Sequence, residues 1–85
     1  MRLYELLGKQ ITLYRHEAGL TQEQLAEKTG YSVDFISLVE RGINAPTVER
    51  LQDIAAILKV EVWQLFFPNP AEPTRKPKKS QKSAK

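Results

Sequence analysis

Hydroxyl side chains and glycines recur at short intervals in the first 67 residues, and because they start and end helices they limit the folds open to the chain. Thr21 and Ser32 stand where helix N-caps are expected, and Gly30 and Gly42 follow the segments that they begin. Thr21 and Gln24 have the spacing of a capping box, in which each side chain bonds the backbone N–H of the other residue. The pattern predicts short helices joined by tight turns.

The spacing of the apolar residues predicts five helices and a compact all-α fold. Leu3, Leu7, Ile11 and Tyr14 recur three or four positions apart, which is one stripe of a first helix. Three further helices follow, and a short fifth helix is expected at about 61–67. The residues expected to face the core from these later helices are Leu25, Ala26, Ile36, Val39, Val48, Leu51, Ile54, Ala55, Leu58, Val62, Leu65 and Phe66.

Charge separates an expected domain at 1–70 from a tail at 71–85. The first carries seven Lys or Arg and nine Asp or Glu, whereas the tail carries six and one, so the net charge of +3 comes from the tail. Prolines and a near absence of apolar residues predict that the tail is disordered. It is either a solubility segment or an electrostatic arm that neutralises phosphates. The residues of that arm expected at phosphates are Arg75, Lys76, Lys78 and Lys79.

The composition argues against catalysis and against a metal or cofactor site. The chain has no cysteine and one histidine, which leaves no thiolate nucleophile and no cluster of nitrogen and sulfur ligands for zinc. Glu17, Glu23 and Glu27 have the spacing of a solvated helix face. No apolar stretch approaches the roughly 20 residues that cross a bilayer. We therefore expect a soluble, cytoplasmic binding protein that needs no cofactor and no membrane.

Residues 22–41 have the organisation of a helix-turn-helix, with two capped helices joined by a turn that contains a glycine. The motifs within and around it are Arg15-x-x-x-Gly19-Leu20-Thr21-Gln22-Glu23-x-Leu25-Ala26, Gly30-Tyr31-Ser32, Ile36-Ser37-x-x-Glu40-x-Gly42, Pro46-Thr47-Val48, Ile54-Ala55-x-x-Leu58 and Val60-x-Val62-x-x-Leu65. In order and spacing these motifs resemble the Cro/repressor-type (XRE) helix-turn-helix family of bacterial and phage transcription regulators.

The resemblance implies a lambda-repressor-like domain that binds double-stranded DNA in a sequence-specific manner and controls transcription at a bacterial or phage nucleoid. Its recognition helix, at about 32–41, would lie in the major groove. Val33 suits a thymine methyl group, and Asp34 would accept a hydrogen bond from cytosine N4 or would instead offset the helix dipole. The base-contacting residues implied are Ser32, Val33, Asp34, Ser37 and Leu38.

The resemblance also places several residues at the DNA backbone. The start of the second helix is a natural anion site. Relatives often carry a tyrosine at the position of Phe35, so this ring, which lacks the hydroxyl, either touches the backbone or packs on the core. The phosphate-contacting residues implied are Gln22, Phe35, Arg41, Asn44 and Thr47.

Two further features concern assembly. In this family an ion pair ties the first helix to the recognition helix, and Arg15 and Glu40 match its positions. Apolar residues left outside the predicted core either cover its base or form a homodimer interface on a two-fold operator. The residues assigned to that interface are Leu6, Leu13, Trp63 and Phe67.

Two alternatives remain open. An antitoxin-like or adaptor module would use the same fold to grip a protein partner, and the net negative charge of residues 1–70 favours it. The second alternative is RNA binding through the tail, although the sequence lacks the exposed aromatic platforms typical of single-strand recognition.

Overall fold

Four α-helices and one turn of 3₁₀ helix make up the computed structural model, which describes residues 2–67. Within this range the chain is all-helical, as predicted, and it forms no strand. None of the described helices is both long and apolar enough to cross a membrane. The helices are α1 (Arg2–Glu17), α2 (Gln22–Thr29), α3 (Val33–Glu40) and α4 (Val48–Leu58), and the 3₁₀ helix spans Val62–Leu65.

The helix ends follow the local chemistry of the sequence. The Thr21 hydroxyl accepts a hydrogen bond from the Gln24 N–H at 3.0 Å, and the Gln24 side-chain oxygen accepts from the Thr21 N–H at 2.8 Å. The Ser32 hydroxyl caps α3 by accepting from the Phe35 N–H at 3.0 Å. Gly30 ends α2 with a φ of 82°, in the left-handed region that glycine adopts without steric cost. The predicted starts of α2 and α3 are therefore confirmed.

The predicted fifth helix is a single 3₁₀ turn and not an α-helix over 61–67. The N–H groups of Gln64 and Phe66 bond to the carbonyls three residues earlier, at 3.0 Å each. The segment lies between Lys59, which ends α4 with a φ of 63°, and Pro68, which disfavours helical geometry at the residue before it. Short 3₁₀ turns of this kind commonly connect or end helical segments.

The core contains most of the residues that the apolar spacing predicted, but the prediction that Leu3 and Val48 face the core is wrong. Their side chains are 46% and 66% exposed. Each lies in the first turn of its helix, beyond the stretch that packs against a neighbouring element. The buried apolar side chains are Leu7, Ile11, Leu25, Ala26, Ile36, Val39, Leu51, Ile54, Ala55, Leu58 and Leu65.

Candidate nucleic-acid interface

The two helices of residues 22–41 meet at a tight turn that fixes their relative orientation. The N–H groups of Gly30 and Tyr31 both bond to the Ala26 carbonyl, at 2.8 and 3.0 Å. Ala26 is 5% exposed, so α2 and α3 pack through a small side chain. A Schellman-type end on α2 and an immediate cap on α3 give the bend of a helix-turn-helix.

An ion pair at the end of α3 joins three helices. Arg15 of α1 donates from Nε to Glu40 Oε2 at 2.6 Å and from Nη2 to Glu40 Oε1 at 3.1 Å. Its remaining guanidinium nitrogen, Nη1, donates to the Leu20 carbonyl at 2.9 Å. Gln22, at the start of α2, donates from Nε2 to Glu40 Oε1 at 2.9 Å. The Glu40 carboxylate thus holds α1, the start of α2 and the end of α3 together.

Gln22 lies at the start of α2, and its side chain already has a hydrogen-bond partner within the protein. The family resemblance put its side chain at a DNA phosphate, whereas here the side-chain amide is bonded to Glu40. Its backbone N–H belongs to the first turn of α2, where N–H groups have no partner within the helix and the dipole favours an anion. In this arrangement the start of α2 presents the Gln22 backbone N–H, and the side-chain amide already donates one hydrogen bond within the protein.

The residues implied as base-contacting lie along one edge of α3. Val33 and Asp34 are exposed in its first turn, and Ser37 and Leu38, four positions further, are half-buried on the same face. Ile36 and Val39 are buried on the opposite face. Ser32, although exposed, already uses a hydroxyl lone pair as the cap of α3.

The residues implied as phosphate-contacting beyond Gln22 are spread from α3 to the start of α4. Arg41 is exposed at the end of α3, and Asn44 is half-buried with its N–H bonded to the Leu38 carbonyl at 3.3 Å. Thr47 is exposed, and its hydroxyl caps α4 by accepting from the Arg50 N–H at 3.2 Å. The residues of the tail, Arg75, Lys76, Lys78 and Lys79, lie outside the described residues, as does the whole segment 71–85.

The structure also shows a surface cluster, made of Tyr31, Phe35, Arg50 and Asp53, that the sequence analysis missed. The Tyr31 and Phe35 rings meet edge to face, with centroids 5.4 Å apart and an interplanar angle of 65°. The Arg50 guanidinium carbon lies 4.9 Å from the Phe35 centroid and 5.2 Å from that of Tyr31. The Tyr31 hydroxyl donates to the Asp53 carboxylate, and this hydrogen bond raises the pKa of Tyr31 above its ordinary value. We call this the Tyr31 cluster; it joins the start of α3 to the start of α4.

Within residues 2–67 no three His, Cys, Asp or Glu side chains lie close enough together to hold a metal ion. The polar groups gathered around α3 are instead hydrogen-bond donors, acceptors and guanidinium groups. Such groups recognise phosphates and base edges without a metal.

Comparison with known proteins agrees with this geometry. Residues 11–62 match the model of a family described as helix-turn-helix, HTH_3. Over 73 residues the chain is 36% identical to an uncharacterized HTH-type transcriptional regulator, y4dJ, of Sinorhizobium fredii, and the match covers 86% of this chain and 95% of that protein. It is 39% identical over 62 residues to the HTH-type transcriptional regulator SlrR of Bacillus subtilis.

The match to SlrR covers 72% of this chain but only 41% of SlrR, so the chain spans less than half the length of that relative. Among solved structures, the crystal structure of SinR, a master regulator for biofilm formation, in complex with DNA superimposes with a TM-score of 0.67 and 35% identity. That superposition covers 69% of this chain and 95% of the SinR chain.

Proposed function

We propose, from the premise that this chain belongs to the helix-turn-helix family HTH_3, that it binds double-stranded DNA in a sequence-specific manner and regulates transcription. The relatives described above carry the name of transcriptional regulators, and SinR was crystallised on DNA. The observation that carries the proposal is the exposed edge of α3, which the Glu40 carboxylate fixes against α1 and α2. A protein of this function acts at the nucleoid, in the cytoplasm.

The exposed edge of α3 supplies the chemistry for reading bases. An α-helix with its side chains is about 10–12 Å across, which matches the major groove of B-DNA at about 12 Å. With α3 in the groove, Val33 would contact a thymine methyl group and Asp34 would accept from a cytosine amino group. Ser32 and Ser37 would donate or accept at neighbouring base edges, and Leu38 would add an apolar contact.

The elements on either side of α3 supply the contacts that set its register. The backbone N–H at Gln22, at the positive end of the α2 dipole, would bind one phosphate. Arg41, exposed at the end of α3, would bind another, and Asn44 and Thr47 would add hydrogen bonds from the loop that follows. The Phe35 ring is half-buried and joins the Tyr31 cluster, so its part in this interface is to support other groups.

Selection of bound duplexes from a random pool tests this function. We expect the full chain to select a defined base sequence, and we expect Val33→Ala and Asp34→Ala each to lose preference at one or two base pairs, each worth about 1–3 kcal/mol. Val48→Ala is the matched control, because Val48 is also an exposed valine but lies outside α3. It should select the same sequence as the unaltered chain.

Two outcomes would contradict this assignment. If the unaltered chain selected no sequence above the starting pool, the DNA-reading function would be wrong and a protein-binding module would take its place. If both α3 variants kept every base preference, the protein would still bind DNA, but through residues other than those named.

We further propose that two copies of the chain bind DNA as a two-fold dimer. Trp63 and Phe67 are 60% and 62% exposed, Leu13 is 37% exposed, and Leu6 is half-buried. These residues belong to α1 and to the region of the 3₁₀ helix, which pack together. Leu3, which the sequence analysis assigned to the core, adds an exposed apolar side chain on α1. A second copy would cover this apolar face and would place two α3 helices about one turn of DNA apart.

Substitution of Trp63 by serine is expected to dissociate the dimer, because it removes the largest exposed apolar side chain of this face. Sedimentation velocity should show a dimer for the unaltered chain and a monomer for Trp63→Ser, which should bind a two-half-site duplex at least tenfold more weakly. Val48→Ser alters an equally exposed apolar residue elsewhere and should remain dimeric. A monomeric unaltered chain at tens of micromolar would show that this face does not join two copies.

A further inference from the structure

Arg50 is an exposed cation whose guanidinium group lies against the Tyr31 and Phe35 rings. Its guanidinium carbon lies within 5.2 Å of the centroids of two aromatic rings, one of which, Phe35, belongs to α3. A guanidinium group over aromatic faces is held by the negative charge of those faces while the edge of its plane stays open to other partners. The side chain of an α4 residue is therefore fixed beside the first turn of the helix proposed to read DNA.

Arg50 forms no salt bridge with Asp53, although both residues lie on α4. Asp53 is three positions after Arg50 on α4, a spacing at which opposite charges ordinarily pair. In the structure the Asp53 carboxylate instead accepts a hydrogen bond from the Tyr31 hydroxyl. The salt bridge found within residues 2–67 joins Arg15 to Glu40. Among the same residues, the Arg50 guanidinium has no hydrogen-bond partner. Its N–H groups are available to an anion.

Two positively charged side chains lie at the ends of α3. Residues 32–53 contain two basic side chains, Arg41 and Arg50. Arg41 follows the last turn of α3, and Arg50 lies beside its first turn. A helix in the major groove has a sugar-phosphate backbone along each flank, so a cation beside either end of α3 lies against phosphates.

We propose that Arg50 binds a DNA phosphate next to the first turn of α3, and that the Tyr31 and Phe35 rings hold its guanidinium in position for that contact. This inference rests on the proposed DNA-binding function and adds to it a residue on α4. The aromatic pair reduces the side-chain freedom that Arg50 loses on binding, and the planar guanidinium group matches the oxygens of a phosphate.

The salt dependence of DNA binding by Arg50→Gln tests the proposal. The probe is a duplex that the unaltered full chain has selected from a random pool. We expect binding about tenfold weaker at low salt, and a plot of log K against log salt concentration whose slope is shallower by about 0.9, the value for one phosphate contact. Arg50→Lys keeps the charge and should restore the slope, although not the full affinity, because it lacks the planar fork.

Lys59→Gln is the matched control, because it removes one positive charge at the opposite end of the same helix. It should leave the slope unchanged. If Arg50→Gln and Lys59→Gln have the same slope, Arg50 makes no phosphate contact, while the proposed function still holds. If the unaltered chain binds no duplex at all, both proposals fail.

A neutralised phosphate gives a second, independent measurement. Single methylphosphonate substitutions along the same duplex should weaken binding by the unaltered chain at the position that Arg50 contacts. Arg50→Gln should be insensitive to the substitution at that one position and should respond as before at the others. Equal sensitivity of both proteins at every position would overturn the assignment.

Discussion

Replacement of Glu40 by alanine is expected to lower the free energy of unfolding by about 3–5 kcal/mol, because it leaves a buried guanidinium group without its counter-charge. Arg15 is 8% exposed and directs two of its nitrogens at the Glu40 carboxylate. The Gln22 side chain loses its acceptor as well. A small domain has about 5–15 kcal/mol of stability in total, so this one change would leave the chain close to unfolding.

Urea denaturation followed by circular dichroism measures this effect. Glu27→Ala is the control, because it removes an exposed carboxylate from α2 and should change stability by no more than about 0.5 kcal/mol. The double variant Arg15→Met, Glu40→Leu removes both charges and should be more stable than Glu40→Ala alone. A loss for Glu40→Ala as small as that for Glu27→Ala would show that the ion pair does not tie the helices together.

The parts of the fold that the sequence predicted are those decided by local chemistry. A hydroxyl at an N-cap and a glycine at a positive φ act within a few residues, so Thr21, Ser32 and Gly30 were enough to place the ends of α2 and the start of α3. Apolar periodicity identifies the buried face of a helix but not where its packing partner ends. For that reason Leu3 and Val48, each in a first turn, were assigned to a core that does not reach them.

The same distinction between local and long-range interactions applies to the candidate site. The exposed edge of α3 follows from the cap at Ser32 and the buried positions of Ile36 and Val39, which are local features. The Tyr31 cluster depends on contact between residues 22 positions apart, such as Tyr31 and Asp53. Taken one at a time, its residues are of types common on protein surfaces and in turns, so nothing in the sequence indicates that they meet. Only the tertiary placement of α4, which packs against α2, brings these side chains together.

Gly8 lies where α1 packs directly against the backbone of the last turn of α3, and its replacement by alanine gives a prediction of definite sign. A β-carbon at this position would lie 2.4 Å from the Glu40 carbonyl oxygen and 2.6 Å from that of Val39. Both oxygens are backbone atoms of the last turn of α3, so neither can rotate away as a side chain would. Relief of the overlap requires α1 and α3 to separate, which also stretches the contact between Arg15 and Glu40.

We expect Gly8→Ala to destabilise the protein by about 1–3 kcal/mol and Gly8→Val to destabilise it further, since the overlap grows with side-chain volume. Helix propensity predicts the opposite sign, a gain of about 1 kcal/mol for alanine over glycine in a helix interior. Lys9→Ala, at the exposed neighbouring position of α1, controls for a general effect on the helix and should be within about 0.5 kcal/mol of the unaltered chain. Urea denaturation decides between the two signs: an unchanged or raised stability of Gly8→Ala would mean that α1 and α3 do not touch at Gly8.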